Sequence, residues 1–339
     1  MSCTFSGRSQ VNVGADMGSC VSAKDCRFQG TTLANMQFQA GSTGVLTRCA
    51  TKGSGGRGVH VTGAGARLTA DCCSFEDSKI ANVAVHDSAA ATFKDCRATG
   101  SEKGAGLLVV GRGTSVQATG FSFESCHQTG VYVKDGADCS LKRCAMQGCS
   151  TGMFIAGEGS RLVAEGCSMQ GSSGNHLQVD QNACASLIDC TLEGSLKGSG
   201  VLARSGARVE ATRCTALGNA LHGVQVMDRA SARLEQCVLT ALDGSSGVCL
   251  AALHPGSSAE AVGCTFTRLP GVTAVGAGQG AHVTLEGCRV QGGGPDDHCA
   301  ESLGPGSRLH IRGGTLLDGP TASLGQGVVV VDEEGGEAA

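Results

Sequence analysis

The chain has 339 residues, with 54 glycines, 20 cysteines, one tyrosine and no tryptophan, and its net charge is −4. The mild negative charge and the lack of a basic run argue against a nucleic-acid partner. No apolar stretch reaches the roughly 20 residues that span a bilayer, and residues 1–10 contain no apolar signal segment. We therefore expect a cytoplasmic protein that binds neither nucleic acid nor a membrane.

A ladder mark, usually a cysteine followed two residues later by an apolar side chain, recurs along the chain. Successive marks are 23–27 residues apart, most often 23–24, and a fixed period of this size indicates a stacked repeat array. The marks are Cys3, Cys26, Cys49, Cys73, Cys96, Phe121, Cys144, Cys167, Cys190, Cys214, Cys237, Cys264, Cys288 and Gly314.

Each repeat shows the pattern of three short strands and three turns. In residues 130–146, Val131 and Val133 alternate with outward side chains and a turn follows at Asp135. A second strand then leads to the bend at Cys144, where a third begins. The same pattern appears at 82–87, 200–204, 223–228 and 327–332.

This pattern predicts an all-β fold, a right-handed parallel β-helix of about 13 coils with 23–24 residues each. A leucine-rich repeat is the alternative, because its period is similar and it also carries an L-x-x-C-x-L segment. We favour the β-helix because the other half of each repeat is a second strand instead of a helix or a leucine-rich segment.

The cysteines predict an internal ladder of reduced thiols. Twelve of the twenty stand at the ladder mark, one per repeat, and a residue at the same place in every repeat has the same packing role. The remaining cysteines lack the paired C-x-x-C spacing of zinc sites. We expect no metal and no cofactor.

The repeat pattern, with its Gly-apolar-x-apolar strand, turn and Cys-x-apolar bend, resembles the parallel β-helix repeat of the pectin-lyase-like superfamily. In style it is most similar to the β-helix portion of F-box only proteins, which are ubiquitin-ligase adaptors. The resemblance covers almost the whole chain and implies the fold. Cysteine stands at the bend where that superfamily often has an asparagine ladder.

The domain boundaries follow from the extent of the repeat. We predict one repeat domain over residues 1–332 and an acidic, disordered tail over 333–339. An open coil exposes strand edges, and neither end shows an amphipathic cap helix. We expect the ends to be covered by another chain or by further sequence.

Candidate catalytic residues come from counting back from the ladder mark, because each coil supplies one side chain to each outward row. Ten residues back, Asp180 and Arg204 fall in adjacent coils. They are the candidate catalytic pair, and the alternative is an exposed structural ion pair. A glycosidase would need two or three close carboxylates, whereas this row offers one.

Twelve residues back lies an uncharged, mildly apolar row without aromatic platforms for sugars. Tyr132, Gln178, Leu202 and Gln225 in this row are the candidate partner-binding residues. The sequence therefore favours a non-catalytic scaffold that binds a protein partner, as an adaptor or as part of a larger protein. The alternatives are a polysaccharide lyase or hydrolase of the same fold, and the substrate-recognition module of a ubiquitin ligase.

Overall fold

A computed structural model describes residues 3–241, 247–268, 273–292 and 298–332. The predicted acidic tail lies outside the described residues. The chain divides into two compact units, Met1–Ser173 and Gly174–Ala339. Each unit is a parallel solenoid with three strands per coil, so that each coil adds one strand to each of three sheets.

In the first unit, the first sheet is formed by strands whose inward-facing side chains are mostly apolar. They are β2 (Val11–Ala15), β5 (Ala34–Phe38), β8 (Arg57–Thr62), β11 (Ala81–His86), β14 (Ala105–Val110), β17 (Thr129–Lys134) and β20 (Thr151–Ala156). The second sheet follows one turn later. It consists of β3 (Cys20–Lys24), β6 (Thr43–Thr47), β9 (Arg67–Asp71), β12 (Ala90–Lys94), β15 (Ser115–Thr119), β18 (Asp138–Lys142) and β21 (Arg161–Glu165).

The third sheet of the first unit is built from three-residue strands that begin just after the ladder mark. They are β1 (Thr4–Ser6), β4 (Arg27–Gln29), β7 (Ala50–Lys52), β10 (Ser74–Glu76), β13 (Arg97–Thr99), β16 (Ser122–Glu124), β19 (Ala145–Gln147) and β22 (Ser168–Gln170).

The second unit repeats the arrangement. Its first sheet holds β23 (Leu177–Asp180), β26 (Val201–Ala203), β29 (Val224–Met227), β32 (Leu250–Leu253), β35 (Val275–Gly278), β38 (Ala300–Leu303) and β41 (Thr321–Leu324). Its second sheet holds β24 (Cys184–Ile188), β27 (Arg208–Thr212), β30 (Ser231–Glu235), β33 (Ser258–Val262), β36 (His282–Glu286), β39 (Arg308–Arg312) and β42 (Val328–Val331). Its third sheet holds β25 (Thr191–Glu193), β28 (Thr215–Asn219), β31 (Val238–Ala241), β34 (Thr265–Thr267), β37 (Arg289–Gln291) and β40 (Leu316–Leu317).

The predicted all-β solenoid of about 13 coils is confirmed. The part of the chain that the structure describes contains strands, turns and bends but no helix, so the leucine-rich alternative is wrong. That part accordingly holds no helix long and apolar enough to cross a membrane. Alternate side chains are buried in most strands of the second sheet, such as β9 and β21, as the period of two requires.

The buried cysteines form the predicted ladder, and the structure gives them a second role. The backbone N–H of Cys49 donates to Sγ of Cys73 at 3.4 Å, and the N–H of Cys73 donates to Sγ of Cys96 at 3.4 Å. The same bond joins Cys144 to Cys167. The thiols therefore satisfy buried backbone donors that would otherwise be unpaired.

Every cysteine is free, and burial raises the pKa of the Cys49 thiol. The residue before each buried ladder cysteine has a positive φ, which turns the backbone sharply inward. Cys72 occupies that position with φ 52° and is exposed, whereas Cys73 beside it is buried. The two neighbouring thiols therefore have different roles.

The ladder can be tested at this adjacent pair. Cys73→Ala should lower the free energy of unfolding by about 1–3 kcal/mol, because it leaves the buried N–H of Cys49 without an acceptor. Cys72→Ala, which removes an exposed thiol, should change it by less than about 0.5 kcal/mol. Urea unfolding in reducing buffer measures both variants. Equal midpoints for the two would show that the ladder bond contributes nothing.

Candidate functional site

The outer face of the second sheet in the second unit carries a row of alternating charges. Glu210 pairs in register with Arg233, and Arg233 pairs with Glu260. Val209, Ala232 and Ala259 next to them point inward and are buried. Because neighbouring strands lie about 4.8 Å apart, two carboxylates flank one guanidinium on three consecutive coils.

Ion pairs hold part of this row in place. Arg233 contacts Glu260 at 2.7 Å and Glu235 at 2.9 Å. Arg312 contacts Glu286 at 2.9 Å and approaches Glu260 at 3.9 Å. These side chains are 37–49% exposed, so each pair contributes less than about 1 kcal/mol and acts mainly to orient Glu260.

The charged row lines an open groove. One cavity of about 520 Å³ is bordered by Arg208, Glu210, Arg233, Glu260, His282 and Arg312, among other residues. A second cavity of about 510 Å³ shares Arg208 and Ser231 with the first and extends to the turn residues Asn182 and Arg229. We call the two together the unit 2 groove. Each cavity falls within the roughly 300–1,000 Å³ that ligand sites commonly measure.

Three charged side chains of the groove are free to meet a ligand. Arg208, Arg229 and Glu210 are exposed and form no ion pair with any residue that the structure describes. Guanidinium groups bind carboxylates in a bidentate manner. The unit 2 groove can therefore bind an anionic group and also present a carboxylate to it.

The structure brings the predicted pair Asp180 and Arg204 together, but it does not place either of them among the groove-lining residues. Oδ2 of Asp180 accepts from Nε of Arg204 at 2.8 Å, and its Oδ1 accepts from the backbone N–H of Gln181 at 2.9 Å. The carboxylate is 8% exposed, whereas an exposed pair was the expected structural alternative. Oδ1 therefore holds the turn and Oδ2 holds Arg204 of the next coil, and a catalytic role for the pair stays a prediction.

The predicted partner-binding row divides between the units. Gln178, Leu202 and Gln225 stand in register on the first sheet of the second unit, half-buried. Tyr132 in the first unit stacks on Phe154 with ring centroids 4.8 Å apart. The expectation of no aromatic platform was wrong, because Phe154 continues the row. The binding role of the four predicted residues stays a prediction.

Sequence reasoning missed the unit 2 groove although a signal was present. Counting four residues back from successive ladder marks gives Glu210, Arg233, Glu260, Thr284 and His310. Counting six back gives the row that contains Arg208 and His282. The rows that were searched belong to the first strand of each coil and its turn, whereas the groove lies on the second strand.

Residues 105–290 match the family described as the right handed beta helix region. The match covers more than half of the chain, and the chain belongs to this family. The predicted right-handed parallel β-helix is thereby confirmed. No curated protein matches the chain.

Several solved structures are similar to this one. The periplasmic alginate epimerase AlgG gives a TM-score of 0.59 at 10% identity, over 88% of this chain and 78% of that one. The complex of Vag8 with C1 inhibitor gives 0.60 at 15% identity, over 97% and 96%. Tailspike protein 3 of bacteriophage CBA120 gives 0.51 at 11% identity, over 98% and 53%. At these identities the likeness shows the fold.

The predicted non-catalytic scaffold for a protein partner is wrong. The solved structures that share the fold include the periplasmic alginate epimerase AlgG, which is not a scaffold of that kind. The narrower likeness to F-box only proteins is not shown by these comparisons.

The structural role of Asp180 predicts a loss of stability on substitution. Asp180→Ala should lower the free energy of unfolding by about 1–3 kcal/mol, because it leaves the backbone N–H of Gln181 and the guanidinium of Arg204 without their acceptor. Asp189→Ala is the matched control. It breaks an exposed pair with Arg213 in the next coil and should cost less than about 1 kcal/mol. Chemical denaturation of both variants gives the comparison, and a smaller loss for Asp180 would contradict the assignment.

Proposed function

We propose that this protein binds an acidic polysaccharide in the unit 2 groove and cleaves it by hydrolysis. The observation that carries the proposal is the pair of carboxylates, Glu210 and Glu260, on either side of Arg233 in one open groove. Glycoside hydrolysis requires two such carboxyl groups, one as acid and one as base or nucleophile.

The spacing of the two carboxylates suits the inverting form of the reaction. Glu210 and Glu260 are two strands apart, roughly 10 Å between backbones at about 4.8 Å per strand. Glutamate side chains can bring their carboxyl groups to the roughly 6.5–9.5 Å that leaves room for a water molecule. This spacing favours direct displacement by water over a covalent glycosyl intermediate.

The hydrogen bonds distinguish the roles of the two glutamates. Glu260 accepts from Arg233 at 2.7 Å, which orients it as the carboxylate that activates water. Glu210 forms no ion pair with any described residue and can approach the glycosidic oxygen to donate its proton. Arg233 between them holds Glu260 in place, and the two carboxylates face the positive charge that develops on the sugar ring.

The free cations of the groove support an acidic substrate. Arg208 and Arg229 have no carboxylate partner in the described chain, so they can bind the carboxylates of a polyuronate. The chain as a whole has a net charge of −4, and without such local cations it would repel a polyanion. The fold shared with an alginate epimerase is compatible with this class of ligand.

The test is turnover of polygalacturonate and alginate, followed as reducing ends. Glu210→Gln and Glu260→Gln should each lower kcat about 10²–10⁴-fold, because each removes one proton-transfer group. Glu165→Gln is the matched control. Glu165 also lies on a second-sheet strand, where it pairs with Lys142 at 2.8 Å, but it belongs to the first unit.

Two outcomes would contradict the proposal. If no acidic polysaccharide is turned over, or if Glu165→Gln loses as much activity as the groove variants, the groove is not the catalytic site. If the products absorb ultraviolet light through a new carbon–carbon double bond, the enzyme acts by elimination, and hydrolysis is wrong.

Comparing charged with uncharged substrates tests independently whether Arg208 and Arg229 bind carboxylates. Arg208→Gln and Arg229→Gln should each raise KM for polygalacturonate by about tenfold, since a charge-assisted hydrogen bond is worth about 1.5–3 kcal/mol. Binding of an uncharged polysaccharide should be unaffected by either change. An equal loss for charged and uncharged chains would show that these arginines do not select carboxylates.

A further inference from the structure

The outer face of the first sheet in the first unit holds a second group of polar side chains. Arg57 and His60 lie on β8, and His86 lies on the adjacent strand β11. The two imidazole rings meet edge to face with centroids 5.3 Å apart. All three residues are half-buried.

Two atoms of this group have no hydrogen-bond partner among the described residues. They are Nε of Arg57 and Nε2 of His86, and both are buried. Leaving a buried polar atom unpaired costs about 1–3 kcal/mol, and more when the group is charged. Arg57 forms no ion pair within the described chain, so a half-buried cation lacks a counterion.

Small side chains on the neighbouring strand leave room for the arginine and the two imidazoles to pack closely. Ala81 is the register partner of Arg57, Ala84 is the partner of His60, and neither alanine has exposed surface. The longer side chains of the neighbouring coils therefore cover them. Arg57 and His60 thus lie beside buried alanines of the neighbouring strand, in partly buried surroundings where electrostatic attraction is stronger than in water.

The charges around Arg57, His60 and His86 favour the binding of an anion. Burial and then the charge of Arg57 lower the pKa of His60 to about 4, and the same two causes lower the pKa of His86. The nearby acid, Asp87, accepts a hydrogen bond from Oγ1 of Thr62 at 2.9 Å. It is therefore directed to Thr62 and does not pair with Arg57.

We propose that Arg57, His60 and His86 form a binding site for one oxyanion, a carboxylate, sulfate or phosphate group. A tetrahedral or planar oxyanion accepts hydrogen bonds from a guanidinium and from imidazole N–H groups, and it would supply the missing acceptors and the missing negative charge. The site lies in the first unit, is made of different residues from the unit 2 groove and does not depend on the function proposed there.

The bound anion has a predictable effect on the two histidines. An opposite charge favours the protonated imidazole, so the anion raises the pKa of His60 and His86 and binds more tightly as pH falls below about 6.5. The other charged groups that act on the two imidazoles are Arg57, Asp87 and Lys134. Without the anion, the folded protein loses stability as pH falls through the same range, because the unfolded histidines bind protons first.

The experiment is a titration of the full chain with sodium sulfate, followed by the imidazole NMR signals of His60 and His86. We expect saturable shifts of both signals and tighter binding at lower pH. Arg57→Gln should weaken binding about tenfold or more, since a charge-assisted hydrogen bond is lost. Arg67→Gln removes an exposed arginine from β9, the next strand along the chain, and should leave the affinity unchanged.

The melting temperature of the anion-free protein shows whether Arg57 binds the anion or only stabilises the fold. Arg57→Gln removes an unpaired half-buried cation and should not lower the melting temperature without sulfate, although it should abolish the rise that sulfate produces. A clear loss of stability without sulfate would show that Arg57 is structural and would overturn the proposal. Absent or non-saturable shifts, or an equal effect of Arg67→Gln, would also overturn it.

A second titration identifies the source of the oxyanion. Saturation by free sulfate or phosphate would assign the site to a small free anion. Saturation by oligogalacturonate at far lower concentration than by free acetate would assign it to a carboxylate carried on a saccharide. Failure of sulfate, phosphate, acetate and oligogalacturonate alike would refute the site.

Discussion

The bend that precedes each ladder cysteine is the constraint on which the rest of the structure depends. A residue with positive φ turns the chain inward, and the backbone N–H of the following cysteine then lies in the core. That donor must be satisfied away from water, and the thiol of the next coil accepts its hydrogen bond, as Cys73 does for Cys49. The thiol is also small and apolar enough to stack once per coil.

Where the ladder lacks cysteine, other groups take over. Phe121 occupies the mark in one coil and is buried, stacked on Phe123 at 4.3 Å. Near the end of the described chain, Oγ1 of Thr315 accepts the N–H of Cys288 at 3.2 Å. The bend therefore tolerates a change of side chain as long as the buried donor keeps an acceptor or the space is filled by apolar atoms.

Because the register is constant along each sheet, equivalent positions of successive coils form rows of outward side chains. These rows determine which functional groups lie close enough to act together. Glu210, Arg233 and Glu260 stand side by side because each precedes its ladder mark by four residues. Arg57 and His86 come together differently, since they approach from positions five residues apart on neighbouring strands. The groove is thus built from equivalent positions of the repeat, whereas the proposed oxyanion site is built from positions that are not equivalent.

Asp180, Arg204 and Phe154 show which features of the candidate sites the sequence could predict. The pairing of Asp180 with Arg204 followed from counting, but the burial of Asp180 did not, because it depends on how the turn at Gln181 and Asn182 wraps around the carboxylate. Phe154 was missed because the turn that follows it, Gly157 to Gly159, is one residue longer than the turn that follows Tyr132. Phe154 therefore lies one residue further from its ladder mark than the row that was counted.

The sequence by itself determined the fold class, the length of the coil and the cysteine ladder, because these repeat and each repeat confirms the others. Only the tertiary structure decided which outward side chains pair, which remain free and which are buried. Those properties depend on turn length and on side chains from neighbouring coils, and a single repeat contains neither. For this reason the sequence predicted the architecture well, while the groove with Glu210 and Glu260 emerged only from the folded chain.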